Sequence, residues 1–277
     1  WSPDGKQIIF TQFQNGYNQG PADIFLYDLN SRTTIELVHD GADNINLPGS
    51  TWNKSKNQIV FSSTLPGHDE IFIIHPQQDD SQPTQITDRD NFMAYEPSFS
   101  PDGEWIVFES HEVDNDENGV IMKVQSDGSN EIIPLTPPDA DCRQPNWSPN
   151  GDLIVYQAYN KKQWDIWIME PDGTNRRQLT NGPGDKTDAS FSPDGQWIVF
   201  SADSPEIEYA ELFIQPIYDS HAIQITRIGL YLGAPSWSPD GKKMAFVSKR
   251  AATPQIYIKD LSNGQLQRLT FFCKNIT

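Results

Sequence analysis

The ten residues "FSPDGEWIVF" (99–108) indicate the architecture, because close variants of them recur along the chain. The first half has the chemistry of a turn: proline presets the backbone angle φ, aspartate bonds its own backbone, and glycine accepts a left-handed conformation. The second half is a β-branched and aromatic run that is apolar on both faces, as expected of a strand covered on both sides. Together the two halves predict a hairpin whose second strand lies between neighbouring sheets.

The pattern occurs six times at a nearly constant interval. The copies start at Trp1, Trp52, Phe99, Trp147, Phe191 and Trp237, which are 51, 47, 48, 44 and 46 residues apart. Each unit continues with a third apolar strand, such as "DIWIMEP" (165–171), and a more polar fourth strand, such as "RQLT" (177–180). This interval suits four short strands joined by short turns, and no window shows sustained helical periodicity.

Six repeated four-stranded sheets, apolar on both faces, predict an all-β, six-bladed β-propeller with four antiparallel strands in each blade. We expect one domain over residues 1–277. Its predicted blades are approximately 1–42, 43–90, 91–138, 139–182, 183–228 and 229–277. The ring should close near the termini, with the inner strand of blade 1 supplied by "FFCKNIT" (271–277) or by residues outside this chain.

The net charge limits the classes of partner that the chain is expected to bind. Thirty-eight Asp and Glu against 20 Lys and Arg give a formal net charge of −18, which repels phosphate backbones and anionic lipid. We therefore expect no nucleic-acid binding; cations or basic segments are favoured partners, and solubility alone is the alternative explanation of the acidity. No segment approaches the roughly 20 apolar residues that cross a bilayer, so no membrane insertion is expected. The chain starts in mid-motif at Trp1, which suggests a truncated or processed product.

Few residues offer covalent or catalytic chemistry. Cys142 and Cys273 would lie far apart in the ring, so we expect free thiols. No Gly-x-Ser-x-Gly nucleophile motif occurs, and the five histidines show no metal-ligand spacing. The three glycosylation sequons, at Asn53, Asn146 and Asn275, are interpreted as chance matches.

A propeller gathers one position from every blade at the mouth of its channel. The residues that precede or begin the predicted inner strands are acidic or polar: Asp43, Glu96, Asp141, Gln144, Asp185 and Asp188. Convergence of these strands would form an acidic funnel that attracts a divalent cation or a basic segment. The alternative is that they are ordinary solvated loop acids.

A second candidate for metal binding is "DNDENGV" (114–120), in which Asp114, Asp116 and Asn118 match the opening of a calcium loop. The twelfth position is Gln125 where an EF-hand needs a bidentate glutamate, so an EF-hand is rejected. A local calcium site and an ordinary acidic turn remain as alternatives.

The segments "EPSFSPDGEWIVF", "QPNWSPNGDLIVY" and "APSWSPDGKKMAF" carry a repeat that resembles that of the TolB-like six-bladed β-propellers, and the resemblance covers essentially the whole chain. It implies a monomeric, non-enzymatic binding propeller of the Tol-Pal envelope system, periplasmic or secreted. It further implies a Pal-like lipoprotein docked at the channel mouth and Ca²⁺ in the channel, with no cofactor required. The family's separate α/β domain has no counterpart in these residues, so a role towards TolA is not carried over.

One enzymatic alternative stays open. Oligogalacturonate lyases are metal-dependent, carbohydrate-active propellers that hold Mn²⁺ with several histidines. The histidines available here for such a site are His39, His68, His75, His111 and His221.

Overall fold

The protein is described from a computed structural model. The structure describes residues 1–15, 20–39, 41–42, 44–47, 51–76, 82–113, 115–129, 131–204, 207–227, 232–251, 253–271 and 275–276. All secondary-structure elements assigned in these ranges are β-strands, and the 25 strands form six sheets. No helix in the same ranges is long and apolar enough to cross a membrane.

The strands follow the repeat, blade by blade. Blade 1 contains β1 (Gln7–Phe13), β2 (Ala22–Asp28) and β3 (Thr34–Val38), and blade 2 contains β4 (Ile45–Asn46), β5 (Trp52–Asn53), β6 (Gln58–Ser63), β7 (Glu70–Ile74) and β8 (Thr84–Gln85). Blade 3 contains β9 (Phe92–Phe99), β10 (Trp105–Glu112), β11 (Asn115–Gln125) and β12 (Ile133–Pro134), and blade 4 contains β13 (Cys142–Trp147), β14 (Ile154–Tyr159), β15 (Trp164–Met169) and β16 (Arg177–Gln178). Blade 5 contains β17 (Lys186–Phe191), β18 (Trp197–Ser204), β19 (Ile207–Pro216) and β20 (Ile223–Gln224), and blade 6 contains β21 (Leu232–Trp237), β22 (Lys243–Ser248), β23 (Gln255–Asp260) and β24 (Leu266–Arg268).

These sheets form a six-bladed β-propeller, as the repeat predicts. Within each blade the hydrogen-bonded strands are antiparallel. The ring is closed by β25 (Asn275–Ile276), which pairs with β1 through Gln12 opposite Ile276 and Phe13 opposite Asn275. The expectation that "FFCKNIT" supplies the innermost strand of blade 1 is confirmed.

The core lies between neighbouring blades, which is why the second strand of each repeat is apolar on both faces. One cluster joins Ile8 and Phe10 of blade 1 to Ala245, Ile256 and Ile258 of blade 6. Another cluster packs blade 4 against blade 5. Within blades, aromatic rings on the second and third strands stack, for example Phe200 on Phe213 with ring centroids 5.9 Å apart.

The Ser-Pro-Asp-Gly segments are turns, as predicted. In blade 3 the N–H of Gly103 donates to the Ser100 carbonyl at 2.9 Å, and Gly103 has φ of +75°. The Ser100 hydroxyl donates to Asp102 Oδ1 at 2.6 Å, and this bond is the main reason why the pKa of Asp102 is lowered. Blade 2 lacks this motif but still forms the hairpin, since β5 pairs with β6.

Two other sequence expectations concern Cys142 and the sequons. Cys142 is a buried free thiol, as expected, and burial raises its pKa to about 11. Cys273 lies outside the described residues. Asn53 and Asn146 are buried, with 3% and 5% of their surface exposed, so neither can accept a glycan in the folded protein.

Two glycines between β16 and β17 provide a test of turn geometry. Gly182 and Gly184 have φ of +84° and +87°, but a Cβ on Gly182 meets nothing within 4 Å, whereas a Cβ on Gly184 would clash with the backbone oxygen of Asp203. We expect Gly182→Ala to lower the free energy of unfolding by about 1 kcal/mol, through backbone strain alone. Gly184→Ala should lower it by about 3 kcal/mol or more, because backbone atoms must also move. Urea unfolding of both variants measures the difference, and equal losses would contradict the predicted clash.

Candidate functional site

The inner strands of blades 3 to 6 share one irregularity. Glu96, Gln144, Asp188 and Ala234 occupy equivalent positions and have φ of 50°, 51°, 56° and 49°. Each lies where the pairing between the first and second strands of its blade shifts register. A left-handed backbone is uncommon for residues other than glycine, and a bulge of this kind redirects a side chain out of the regular alternation. Four blades therefore present the same exceptional position to the same central space.

That space is a cavity of about 140 Å³ in the middle of the ring. All four left-handed residues line it. Its other polar lining residues include Asn46, Thr51, Asn146 and Ser190, and its apolar lining includes Ile8, Ile9, Phe10, Ala245, Phe246 and Val247. One water needs about 10–15 Å³ of such space, so several waters or a hydrated cation fit. The described lining contains carboxylates but no Lys or Arg.

Hydrogen bonds between adjacent blades fix the polar lining. The N–H of Gln144 donates to Glu109 Oε2 at 2.8 Å, and the N–H of Asp188 donates to Gln144 Oε1 at 3.1 Å. The N–H of Ala234 in turn donates to the Asp188 carboxylate. Backbone groups of one blade thus hold side chains of the preceding blade, which orients the channel groups before any ligand arrives.

The electrostatics of the channel favour a cation. Burial, and after it the nearby carboxylates of Glu109, Asp188 and Asp69 in that order, raise the pKa of Glu96 to about 8. Burial also raises the pKa of Asp188, although hydrogen bonds from Gln144 and other neighbours oppose this shift. Burial raises the pKa of Asp69 to about 7 against hydrogen bonds from two neighbours. Several carboxylates that resist ionisation together are a recurrent feature of binding sites, because a bound cation relieves their repulsion.

The structure brings together three of the six residues of the predicted funnel: Glu96, Gln144 and Asp188 all line the cavity. Asp141 and Asp185 do not line it. Asp141 Oδ1 accepts bonds from Arg143 Nε at 2.8 Å and from a backbone N–H, while Asp185 Oδ1 accepts a backbone N–H at 2.9 Å. Asp43 lies outside the described residues. Fewer of the described residues therefore line the cavity than the predicted funnel contains.

Sequence reasoning missed Glu109 and Asp69. Glu109 is 5% exposed on β10, directly after the apolar run that the sequence assigns to a doubly covered strand. A charged residue at such a position is rare unless it is paired, and this was the available signal. Glu109 is paired: His111 Nε2 contacts its Oε1, and Gln144 binds its other oxygen. Asp69, the residue before β7, is 4% exposed and carries no comparable signal.

The "DNDENGV" segment is strand from Asn115 onwards, within β11. Asn118 is exposed there, while Asp114 and the side chain of Asp116 lie outside the described residues. The extended backbone agrees with the rejection of an EF-hand. The weaker local calcium site stays a prediction.

The histidines are dispersed over the ring. His68 and His75 belong to blade 2, His111 to blade 3 and His221 to blade 5. Within the described ranges, one group of three potential metal ligands is close enough to share an ion, and it contains a single histidine, His39. The described residues thus form no site with several histidines of the kind that the lyase alternative requires.

Comparisons with known proteins agree with this architecture. The family described as the TolB beta propeller domain matches residues 1–163 and 144–276. A TolB homolog of Chlorobium luteolum is 29% identical over 209 residues, covering 76% of this chain and 35% of its own length. Dipeptidyl-peptidase 5 of Porphyromonas endodontalis is 28% identical over 200 residues, covering 68% of this chain and 28% of its own length.

Among solved structures, TolB from Acinetobacter baumannii superposes with a TM-score of 0.81 at 17% identity, covering 98% of this chain and 65% of that one. This likeness concerns the fold. The chain spans about a third of the length of the two relatives above. The family match extends over nearly all of the residues. The chain belongs to the TolB beta propeller domain family.

Proposed function

We propose that this propeller is a non-enzymatic scaffold that docks a protein partner over the acidic channel. The observation that carries the proposal is the convergence of Glu96, Gln144 and Asp188, each in a left-handed bulge, on one cavity. Strained backbone repeated at equivalent positions of a rigid frame is typical of binding sites. The side chains are already held by neighbouring blades, so binding needs little reorganisation.

The partner best suited to this site carries a basic segment. The described lining offers carboxylates without Lys or Arg, and the whole chain has a formal charge of −18. Such a field accelerates the approach of a positively charged surface and disfavours anionic ones. Family membership supports a Tol-Pal type of partner, a Pal-like lipoprotein, and a periplasmic location.

The same oxygens suit Ca²⁺ as a channel ligand. Ca²⁺ takes carboxylate and amide oxygens, which Glu96, Asp188 and Gln144 provide. Replacement of bound protons by the cation would stabilise the ionised carboxylates whose pKa values are raised. In this proposal the cation fixes the channel side chains beneath the docked partner.

The experiment is a double neutralisation in the channel. At pH 9, where Glu96 with its pKa of about 8 is ionised, Glu96→Gln with Asp188→Asn should weaken binding of the soluble domain of a Pal-type lipoprotein at least about tenfold, because charge-complementary contacts are lost without a change of shape. Isothermal titration calorimetry measures the affinity. The matched control is Asp90→Asn with Asp139→Asn, which removes the same charge from exposed positions outside the cavity.

The control pair should bind within about twofold of the parent protein, since solvent-exposed charges outside the cavity contribute little. Equal affinities for the channel pair and the parent protein would remove the channel from the docking surface. Turnover of oligogalacturonides with Mn²⁺, abolished by Glu96→Gln, would instead favour the carbohydrate-active alternative.

A further inference from the structure

Three potential metal ligands meet at the outer edge of blade 1, away from the channel. They are Asp23 of β2, Glu36 of β3 and His39, which follows β3. His39 Nδ1 lies 2.7 Å from Asp23 Oδ1 and 3.1 Å from Glu36 Oε1. The three ligand atoms all lie within 4.8 Å of one another.

This arrangement replaces a feature that blades 2, 4, 5 and 6 share. In each of them the hydroxyl of a fourth-strand threonine donates to a polar side chain at the start of the third strand. The pairs are Thr87 with Glu70, Thr180 with Asp165, Thr226 with Glu211, and Thr270 with Gln255. Blade 1 has Asp23 at the acceptor position but Val38 in place of the threonine. Asp23 consequently meets His39 and Glu36 instead of a hydroxyl.

Hydrogen bonds alone do not balance the negative charges of the two carboxylates at this edge. The Asp23 side chain is 7% exposed, and Glu36 brings a second carboxylate to the same imidazole nitrogen. The other oxygen of Asp23 accepts a long bond from Gln14 Nε2 at 3.4 Å. A protonated imidazole would supply one positive charge to two carboxylates. A divalent metal would supply two, and Nδ1 would bind it through its lone pair.

The donor set selects the kind of metal. One imidazole nitrogen and two carboxylate oxygens suit Zn²⁺ and related first-row ions, whereas Ca²⁺ takes oxygen ligands. Zn–N and Zn–O bonds of about 2.0–2.2 Å in a tetrahedron separate ligands by about 3.3 Å. The two separations from His39 Nδ1 are 2.7 and 3.1 Å, and the side chains of Glu36 and His39 are 46% and 62% exposed, so small rotations can complete the tetrahedron.

We infer that Asp23, Glu36 and His39 form a zinc-type site, with water completing the coordination of the metal. The site fastens β3 to β2 in the blade whose innermost strand is β25, where the ring closes. A metal bound there would stabilise the blade in which the two ends of the chain are joined. This inference is independent of partner docking at the channel.

The test is titration of the metal-free full chain with Zn²⁺, made in the Glu96→Gln and Asp188→Asn background so that the channel does not contribute. We expect one Zn²⁺ per chain, a rise in melting temperature of about 2–4 °C at saturation, and weaker binding as the pH falls, because protons compete for the imidazole. His39→Gln should weaken Zn²⁺ binding at least about tenfold and abolish the shift in melting temperature. His221→Gln, which changes an exposed histidine of blade 5, should change neither.

Co²⁺ provides a second measurement, because a tetrahedral site with one nitrogen and several oxygens gives a visible absorption band that His39→Gln should remove. Glu36→Gln alters an exposed side chain and serves if the histidine variant folds poorly, since it should weaken Zn²⁺ binding in the same direction. Zn²⁺ affinity that is the same in His39→Gln and in its parent would overturn the assignment. Absence of stoichiometric binding by the parent would also overturn it.

Discussion

Lys186→Met should lower the free energy of unfolding by about 3–5 kcal/mol, because it removes one partner of a buried ion pair. Lys186 is 5% exposed and its ammonium lies 3.3 Å from Asp165 Oδ1, which is on the adjacent blade. The ammonium also donates to the carbonyl oxygens of Gly182 and Gly184 at 2.6 and 2.8 Å. Removal of Lys186 leaves Asp165, 1% exposed, without the positive charge that it faces.

Controls separate the loss of the pair from the loss of a lysine. Lys162→Met changes an exposed lysine of blade 4 and should alter stability by less than about 0.5 kcal/mol. Lys186→Met combined with Asp165→Asn removes the uncompensated charge and should recover part of the loss, because the amide can still bond its neighbours. Urea unfolding measures all three variants. A loss below 1 kcal/mol for Lys186→Met would show that the pair does not hold the two blades together.

The repeat made the fold predictable from the sequence. Each copy encodes the same turn, the same doubly covered strand and the same polar outer strand, so every local preference agrees with the ring. For the inner strand of blade 1 the sequence left two alternatives, residues 271–277 or residues outside this chain, and β25 supplies it. A wrong assignment of one strand could be recognised, since six copies of the repeat carry the same pattern.

The site was only partly predictable, because it depends on departures from the repeat. Glu96, Gln144 and Asp188 were identifiable as polar residues on inner strands, but their left-handed backbone was not. Each of them stands three residues before the aromatic residue that starts its copy, whereas Asp141 and Asp185 stand six residues before it and are held by local hydrogen bonds outside the cavity, but the sequence alone does not show which of these two positions enters the channel. Position within the bulge decides which side chain enters the channel, and bulge position is a property of strand pairing.

Lys186 illustrates the same limit for stability. Its equivalents in blades 3 and 4 are Ala94 and Cys142, which are buried, so the repeat predicts a small apolar residue at this position. Blade 5 has a lysine because blade 4 offers it a carboxylate from a different strand. A pair formed across two blades leaves no periodic signal in either repeat.

A further prediction concerns the dependence of folding stability on pH. The folded chain holds protons on Glu96 and Asp69 more tightly than the unfolded chain, because burial raises their pKa values from 4.5 to about 8 and from 3.8 to about 7. The folded state therefore binds more protons than the unfolded state from about pH 4 to about pH 8. Stability must fall as the pH rises through this window and level off above it. Glu96 is partly exposed in the channel, so we expect a total loss of about 1–2 kcal/mol between pH 6 and pH 9 rather than the full value of the shifts.

Glu96→Gln should flatten this profile and be more stable than the parent protein at pH 9, because the amide never ionises. Glu131→Gln, which changes an exposed acid outside the cavity, should follow the parent curve. Stability of the parent protein that is constant or rising from pH 6 to pH 9 would contradict the prediction. Thermal melts and urea unfolding at each pH give the profiles.

Ca²⁺ connects this pH dependence to the proposed binding role of the channel. A cation binds ionised carboxylates, so its apparent affinity should rise with pH, by up to about tenfold per unit for each proton displaced, between pH 6 and pH 8. At pH 9 saturating Ca²⁺ should restore the stability that the parent protein loses, because it replaces the missing protons as the compensating charge. Glu96→Gln with Asp188→Asn should gain nothing from Ca²⁺ at any pH. Equal Ca²⁺ stabilisation of the parent and of this double variant would place the cation elsewhere on the acidic surface and leave the channel as a site for the partner alone.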